Sequence, residues 1–279
     1  MKPAKLNPIQ RVVFALGLWF WFFVALLPFL WMFVISLRKP VDAFATPPKV
    51  FAPVTFENFK HVWIDDAFWL YGINTVIVTV ATVILSLTLA SLAAYALSRY
   101  RGSIGFWLLM TAMVFRAMPH VVLLTAYRPA FFELGIWSRY ETLIVVLVAI
   151  NQPFAIWMLR AFFMNIPREL DEAALVDGCS RWQAFIRVIV PVMWPGIITA
   201  GLFCFLLAYN DFIISSQLMS GDKSTMTAAL GSYMGQNQSL SRLMHGIAGA
   251  VSITIPIILL VFFFQKQIVS GMTAGAVKG

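Results

Sequence analysis

The sequence predicts an all-α integral membrane protein with six transmembrane helices and both termini in the cytoplasm. Three observations predict it: a deficit of charge, six long apolar windows, and an uneven spread of Lys and Arg over the connections. The 279 residues are 61% hydrophobic and 11% charged, whereas a soluble domain carries roughly 25% charged residues. The missing charges are those that would wet a soluble surface. The net charge of +8 fits basic cytoplasmic connections of a membrane protein, and no nucleic-acid partner is expected. Cys179 and Cys204 have no metal-ligand spacing, and no metal site is expected.

A helical span needs about 20 mostly apolar residues. Windows free of Asp, Glu, Lys and Arg, or interrupted only by Arg116, place spans at about 12–36, 71–97, 105–125, 142–162, 193–219 and 247–268. The whole chain, 1–279, reads as one transmembrane domain. The first apolar stretch is too long for a signal peptide and lacks a clear cleavage site, so it reads as an uncleaved span. Six spans put both termini on one side. Lys2, Lys5, Arg11, Arg99, Arg101, Arg160, Arg168, Arg181, Arg187, Lys266 and Lys278 fall on that side, eleven in all, against eight on the other. The excess assigns the termini to the cytoplasm.

The first external loop, about 37–70, is rich in Pro and Phe and predicts an ordered cap with a short interfacial helix near Phe56–Ile64. Span two carries Thr79, Thr82, Ser86, Ala90 and Ala94. Small side chains let helix backbones approach closely in lipid, which places this span centrally in the bundle. Arg116 lies about halfway along span three, and Asp211 about two-thirds of the way along span five. Intramembrane charges are costly and usually pair, so Arg116 and Asp211 are expected to pair with each other or with nearby carbonyls, or Arg116 to snorkel toward the interface. The functional alternative is that Arg116 lines the pathway and favours an anionic or strongly polar substrate. Asn151 and Gln152 precede Pro153 in span four. They read either as pathway residues at a broken helix or as hydrogen-bonding glue between helices. His61, His120 and His245 read as isolated loop or interfacial residues, and none has metal-ligand spacing.

The connection 164–192 is the most informative segment. Pro167 suits a first helical turn, and Glu169, Asp171 and Glu172 oppose the positive end of the helix dipole. Gly178 supplies a left-handed stop, and Ser180 caps the helix that follows. A short cytoplasmic helix over about Pro167–Asp177 results. On these grounds alone it is either a membrane-surface amphipathic helix or a docking element.

Glu172-Ala173-Ala174, three residues, Gly178, nine residues, then Val188-x-Val190-Pro191 resembles the EAA loop of permease subunits in binding-protein-dependent ABC importers. Two apolar residues differ from the family pattern, Val188 and Val190. Ala93–Arg99, Tyr209-Asn210-Asp211 and the ending Gly271–Gly279 are similar to the carbohydrate branch (CUT1) and its smaller, six-span, MalG-like subunit. The resemblance implies the type I ABC importer permease fold. It implies a second, MalF-like permease subunit, two ATPase subunits, and a periplasmic or lipid-anchored substrate-binding protein as partners. Glu172, Ala173, Ala174, Asp177, Gly178 and Pro191 would form the ATPase-coupling site. Arg116, Asn151, Gln152, Tyr209, Asn210 and Asp211 are the substrate-pathway candidates. The tail near Ala274–Gly279 would reach between the ATPase subunits, and the loop Ser220–His245 would probe the binding protein. The resemblance implies no cofactor bound by this chain, with ATP and Mg held by the partner ATPase subunits.

Gly221–Thr225 partly resembles a phosphate loop but lacks the G-x4-G-K-[ST] spacing. Two other classes were weighed. A membrane-embedded enzyme would need clustered His, Asp or Ser, and neither H-E-x-x-H nor G-x-S-x-G occurs. An autonomous secondary transporter or channel would account for Arg116 and Asp211 but not for the EAA-type loop.

Overall fold

The computed structural model describes residues 7–47, 49, 52–100, 102–235 and 239–273. Lys2, Lys5, Arg101, Lys278 and the tail Ala274–Gly279 lie outside the described residues. The described residues form helices and connecting turns. Nine helices organise the description: α1 Pro8–Ser36, α2 Phe68–Arg99, α3 Ile104–Arg116, α4 His120–Glu133, α5 Tyr140–Met164, α6 Glu169–Val176, α7 Trp194–Tyr209, α8 Ile213–Leu218 and α9 Leu240–Thr273. Four helical stretches are long and apolar enough to cross a membrane, namely Pro8–Ser36, Phe68–Arg99, Tyr140–Met164 and Leu240–Ile268. Two bent pairs bring the number to six if each counts as one span.

The chain divides into two compact units, Met1–Ala67 with Tyr233–Ser252, and Phe68–Ser232 with Ile253–Gly279. In the first unit, α1 is apolar on every side and only Ser36 is buried. A helix hydrophobic all round suits lipid. The segment after it is the ordered cap that the sequence predicts. The Asn58 amide donates to the carbonyls of Ser36 and Arg38, both at 2.8 Å. The Thr55 amide donates to Leu37 O at 2.8 Å. Glu57–Lys60 is α-helical and His61–Asp65 continues it as one π turn. Trp63 Nε1 donates to Ser252 Oγ at 2.9 Å, joining this helix to α9.

In the second unit, α2 is the central helix. Its buried residues include Thr75, Thr79, Thr82, Ser86, Ala90, Ala94 and Ser98, spaced by three or four along one face. Both α5 and α7 pack on α2, and α5 also packs on α7. Ala90, Ala94, Ala155, Leu159, Phe163, Ala200 and Cys204 share one core cluster with Phe185 and Ile189. A second cluster joins Val78, Leu143, Leu147, Ala208 and Leu218. The loop after α8 is tied to the start of α2. Asn74 Nδ2 donates to Asp222 O at 2.7 Å and to Ser224 O at 2.9 Å, and the Met226 amide donates to Thr75 Oγ1 at 2.8 Å.

The structure corrects four expectations about element bounds. Span three is not one rod over 105–125, because α3 and the start of α4 meet at 74°. Pro119 precedes α4, and a proline disfavours helical backbone in the residue before it. Span five is not continuous over 193–219, because residues 210–212 leave the helix between α7 and α8. The helix expected over Pro167–Asp177 is shorter, Glu169–Val176. Span four is not broken: α5 runs through Pro153, which is buried.

Close approach in the second unit makes one position sensitive. A Cβ on Gly196 would lie 2.8 Å from Phe162 Cγ and 3.1 Å from Phe162 Cβ, whereas one on Gly17 would meet nothing within 4 Å. Overpacking of this kind costs about 1–3 kcal/mol. Gly196→Ala is expected to lower the melting temperature of the detergent-solubilised protein by several degrees. Gly17→Ala is expected to leave it unchanged.

Candidate functional site

The connection from α5 to α7 folds as the sequence implies. Glu169, Asp171 and Glu172 occupy the first turn of α6. Gly178 has φ +84 and stops the helix. The Cys179 amide donates to Ala174 O at 3.0 Å and the Gly178 amide to Leu175 O at 3.1 Å. These two bonds form the Schellman arrangement, which requires a residue at positive φ. A Cβ on Gly178 would meet nothing within 4 Å, so backbone conformation and not space selects glycine there. Ser180 then opens a capping box with Gln183, its Oγ accepting the Gln183 amide at 3.2 Å.

Arg181–Ala184 is α-helical and Phe185–Ile189 is a π turn. After it, Pro191 lies exposed in the short helical turn Val190–Val192. It has no amide hydrogen and cannot continue the preceding ladder, which suits the end of an irregular turn. The segment Arg181–Val192 meets α7 at 78°.

Helix α6 has two faces. Ala174 is only 4% exposed, and α6 packs on the π turn Phe185–Ile189. Glu172, Ala173, Asp177 and Gly178 are exposed. Leu175 and Val176 are also exposed, Val176 at 87%. The two alanines of the motif therefore have opposite roles: Ala174 packs inward and Ala173 stays open.

The inward face carries a polar clamp that sequence reasoning missed. Asp171 Oδ2 lies 2.7 Å from Arg99 Nη2, and Asp171 Oδ1 accepts the Tyr95 hydroxyl at 2.6 Å. Arg99 Nη1 also donates to Ile166 O at 3.1 Å and Phe163 O at 3.4 Å, beyond and within the end of α5. A cation there satisfies carbonyls that the helix leaves free. The sequence signal is Tyr95 and Arg99 four residues apart at the end of an apolar helix, with an extra acid in α6. Asp171 had been assigned only to the helix dipole.

The pathway candidates do not form one cluster. Arg116 ends α3, and its guanidinium lies over the Phe154 ring at 4.8 Å. Its Nη1 is buried and has no hydrogen-bond partner among the described residues. Asn151 is 3% exposed, and Gln152 Nε2 donates to Ser86 O at 3.3 Å, linking α5 to α2. Tyr209 is buried, with its hydroxyl donating to Ile253 O at 3.1 Å. Asn210 Nδ2 donates back to Leu206 O at 2.9 Å. Asp211 accepts the Ser215 amide at 2.8 Å, the Ser215 hydroxyl at 2.9 Å and the Ile214 amide at 3.4 Å.

The expected Arg116–Asp211 pair is thus not formed among the described residues. Asp211 instead satisfies free amides at the start of α8, a local role made possible by the break in span five. The expectation of isolated histidines is corrected too: the His61 and His245 rings stack at 3.9 Å.

Comparison with known proteins places this geometry. The model of the family described as "Binding-protein-dependent transport system inner membrane component" matches residues 86–274. The trehalose transport system permease protein SugB of Mycobacterium tuberculosis is 35% identical over 257 residues, covering 91% of this chain and 93% of that protein. The trehalose/maltose transport system permease protein MalG of Thermococcus litoralis is 32% identical, covering 97% and 98%. A crystal structure of a bacterial ABC transporter that imports the acidic polysaccharide alginate has a chain of similar fold. The TM-score is 0.74 at 23% identity, covering 94% of this chain and 98% of that one. The chain belongs to the family of binding-protein-dependent transport system inner membrane components.

Proposed function

We propose that this chain is a permease subunit of an ATP-driven importer, forming half of the translocation pathway for a carbohydrate or carbohydrate derivative. Its place is the bacterial inner membrane, crossed six times with both termini in the cytoplasm. The relatives named for trehalose, maltose, diacetylchitobiose and arabinooligosaccharide uptake support the carbohydrate class. The single observation that carries the coupling role is the two-faced α6. Its inner face is held to α2 by Arg99, Tyr95 and Asp171, while Glu172, Ala173, Leu175, Val176 and Asp177 are left open.

In this reading a second permease subunit completes the pathway, and two ATPase subunits sit beneath. A substrate-binding protein delivers the sugar from outside. ATP and Mg belong to the ATPase subunits, and the transport step itself calls for no cofactor on this chain. The open face of α6 docks on an ATPase subunit, with Glu172 in contact and Gly178 setting the turn. Movement of that subunit then pulls α2 and α5 through Arg99. Pro191 and the π turn let the chain leave α6 and enter α7 at a steep angle. The loop around Ser220–Leu230, braced on Asn74 and Thr75, would face the binding protein.

Arg116 is the pathway residue we favour, because a buried guanidinium nitrogen without a partner suits a polar or anionic group on the substrate. Gln152 and Tyr209 serve chiefly to join helices, Asn151 is buried in the packing, and Asn210 and Asp211 serve the local backbone at the break in span five.

Three measurements test this reading. Glu172→Lys is expected to reduce co-purification with the ATPase subunit and abolish uptake; normal levels of both would overturn the docking role. Asp171→Asn leaves the open face intact. It is expected to retain the ATPase subunit but lose about tenfold in substrate-stimulated ATP hydrolysis, within the usual range of coupling energies. Arg116→Gln is expected to lower uptake and alter substrate preference at unchanged melting temperature. Lost stability with unaltered preference would make Arg116 purely structural.

A further inference from the structure

We propose that His61, Asp66 and His245 form a divalent metal site of the zinc type on the external side of this subunit. One ligand atom from each of the three residues can be chosen so that all lie within 4.8 Å of one another. All three belong to the first compact unit.

The argument begins with His61. Its Nδ1 is buried and makes no hydrogen bond. It nevertheless faces the Asp66 carboxylate, with Oδ2 at 3.4 Å. An unprotonated Nδ1 and a carboxylate oxygen at that distance repel unless a proton or a metal ion lies between them. The other ring nitrogen, Nε2, lies 4.0 Å from the Asp65 carboxylate. With an ion between Nδ1 and Asp66, the ring proton would sit on Nε2, on the side of Asp65. A carboxylate on the far nitrogen is the usual support of a metal-ligating histidine.

Asp66 is supported in the same way. The Tyr233 hydroxyl donates to its Oδ2 at 2.7 Å, fixing the carboxylate. The guanidinium of Arg242 lies over the Tyr233 ring at 5.6 Å. His245, one turn further along α9, supplies the third ligand. Its ring stacks on His61 with an interplanar angle of 22°.

The spacing suits the ion. Ligand bonds of about 2.1 Å in a tetrahedron put neighbouring ligand atoms about 3.4 Å apart. The Nδ1–Oδ2 separation of 3.4 Å already has that value. Binding would contract the cluster from 4.8 Å and turn the His245 ring out of its stack on His61, so that both rings aim at one ion. Two imidazoles and one carboxylate suit zinc, with the fourth position left to water. The consequence is mechanical: the ion would tie the 57–66 helix to the external end of α9, beside the Trp63–Ser252 hydrogen bond. This inference is independent of the proposed transport function.

The test uses the purified full-length chain in its transporter complex, dialysed free of metal and titrated with Zn2+ alone. One high-affinity Zn2+ per copy of this chain is expected, with a rise in melting temperature. Co2+ should give the visible absorption of a four-coordinate ion at the same stoichiometry. His245→Gln and Asp66→Asn are each expected to weaken binding at least tenfold. Asp66→Asn retains an acceptor for Tyr233, so it decides the matter if His245→Gln does not assemble. His120→Gln is the control and should bind as wild type. If wild type binds Zn2+ no more tightly than the Asp66→Asn variant, the cluster is only a stacked histidine pair and the proposal is overturned.

Discussion

Arg99 is the side chain on which the joint of α2, α5 and α6 depends. It stands at the end of α2 and joins two other elements, α6 through Asp171 and the end of α5 through the carbonyls of Phe163 and Ile166. The side chains of the pair are 18% and 16% exposed. Surface pairs contribute about 0–1 kcal/mol, whereas stripping one partner from a buried pair costs about 3–5 kcal/mol. This pair lies nearer the second case, because losing Arg99 also leaves carbonyls at the end of α5 without a donor. The clamp makes α6 a rigid extension of α2 and not a loose loop.

That rigidity matters because α2 is the helix on which α5 and α7 pack. Its buried face is made of Thr, Ser and Ala, so the neighbouring backbones come close and a displacement has little slack to absorb it. A push on the open face of α6 is therefore delivered to the central helix. The second route runs through the π turn and the 78° bend into α7. Both routes start from an element of eight residues, and under the proposed coupling they would let so short a helix act on helices several times its length.

The spans were legible where composition and backbone agree. Windows two, four and six became α2, α5 and α9, because long charge-poor runs leave the backbone no solvent partner and force it into helix. The windows at three and five were equally apolar, yet each held a break that composition conceals. Pro119 bends one, and Asn210, Asp211 and Phe212 interrupt the other. The stop at Gly178 and the cap at Ser180 were legible because each rests on local backbone chemistry. The clamp was not, since Tyr95 and Asp171 are 76 residues apart and meet only once α2, α5 and α6 are packed. The same holds for His61 and His245, and for Arg116, whose ring contact with Phe154 replaces the ion pair its sequence suggested.

The central claim is that the open face of α6 is a docking surface for an ATPase subunit. A photo-reactive residue placed at Val176, 87% exposed on that face, tests it most directly. The account predicts a cross-link to the ATPase subunit in native membranes, changing in yield when ATP is bound. Cross-linking only to lipid, with the complex intact, would contradict it and return α6 to the role of a membrane-surface helix.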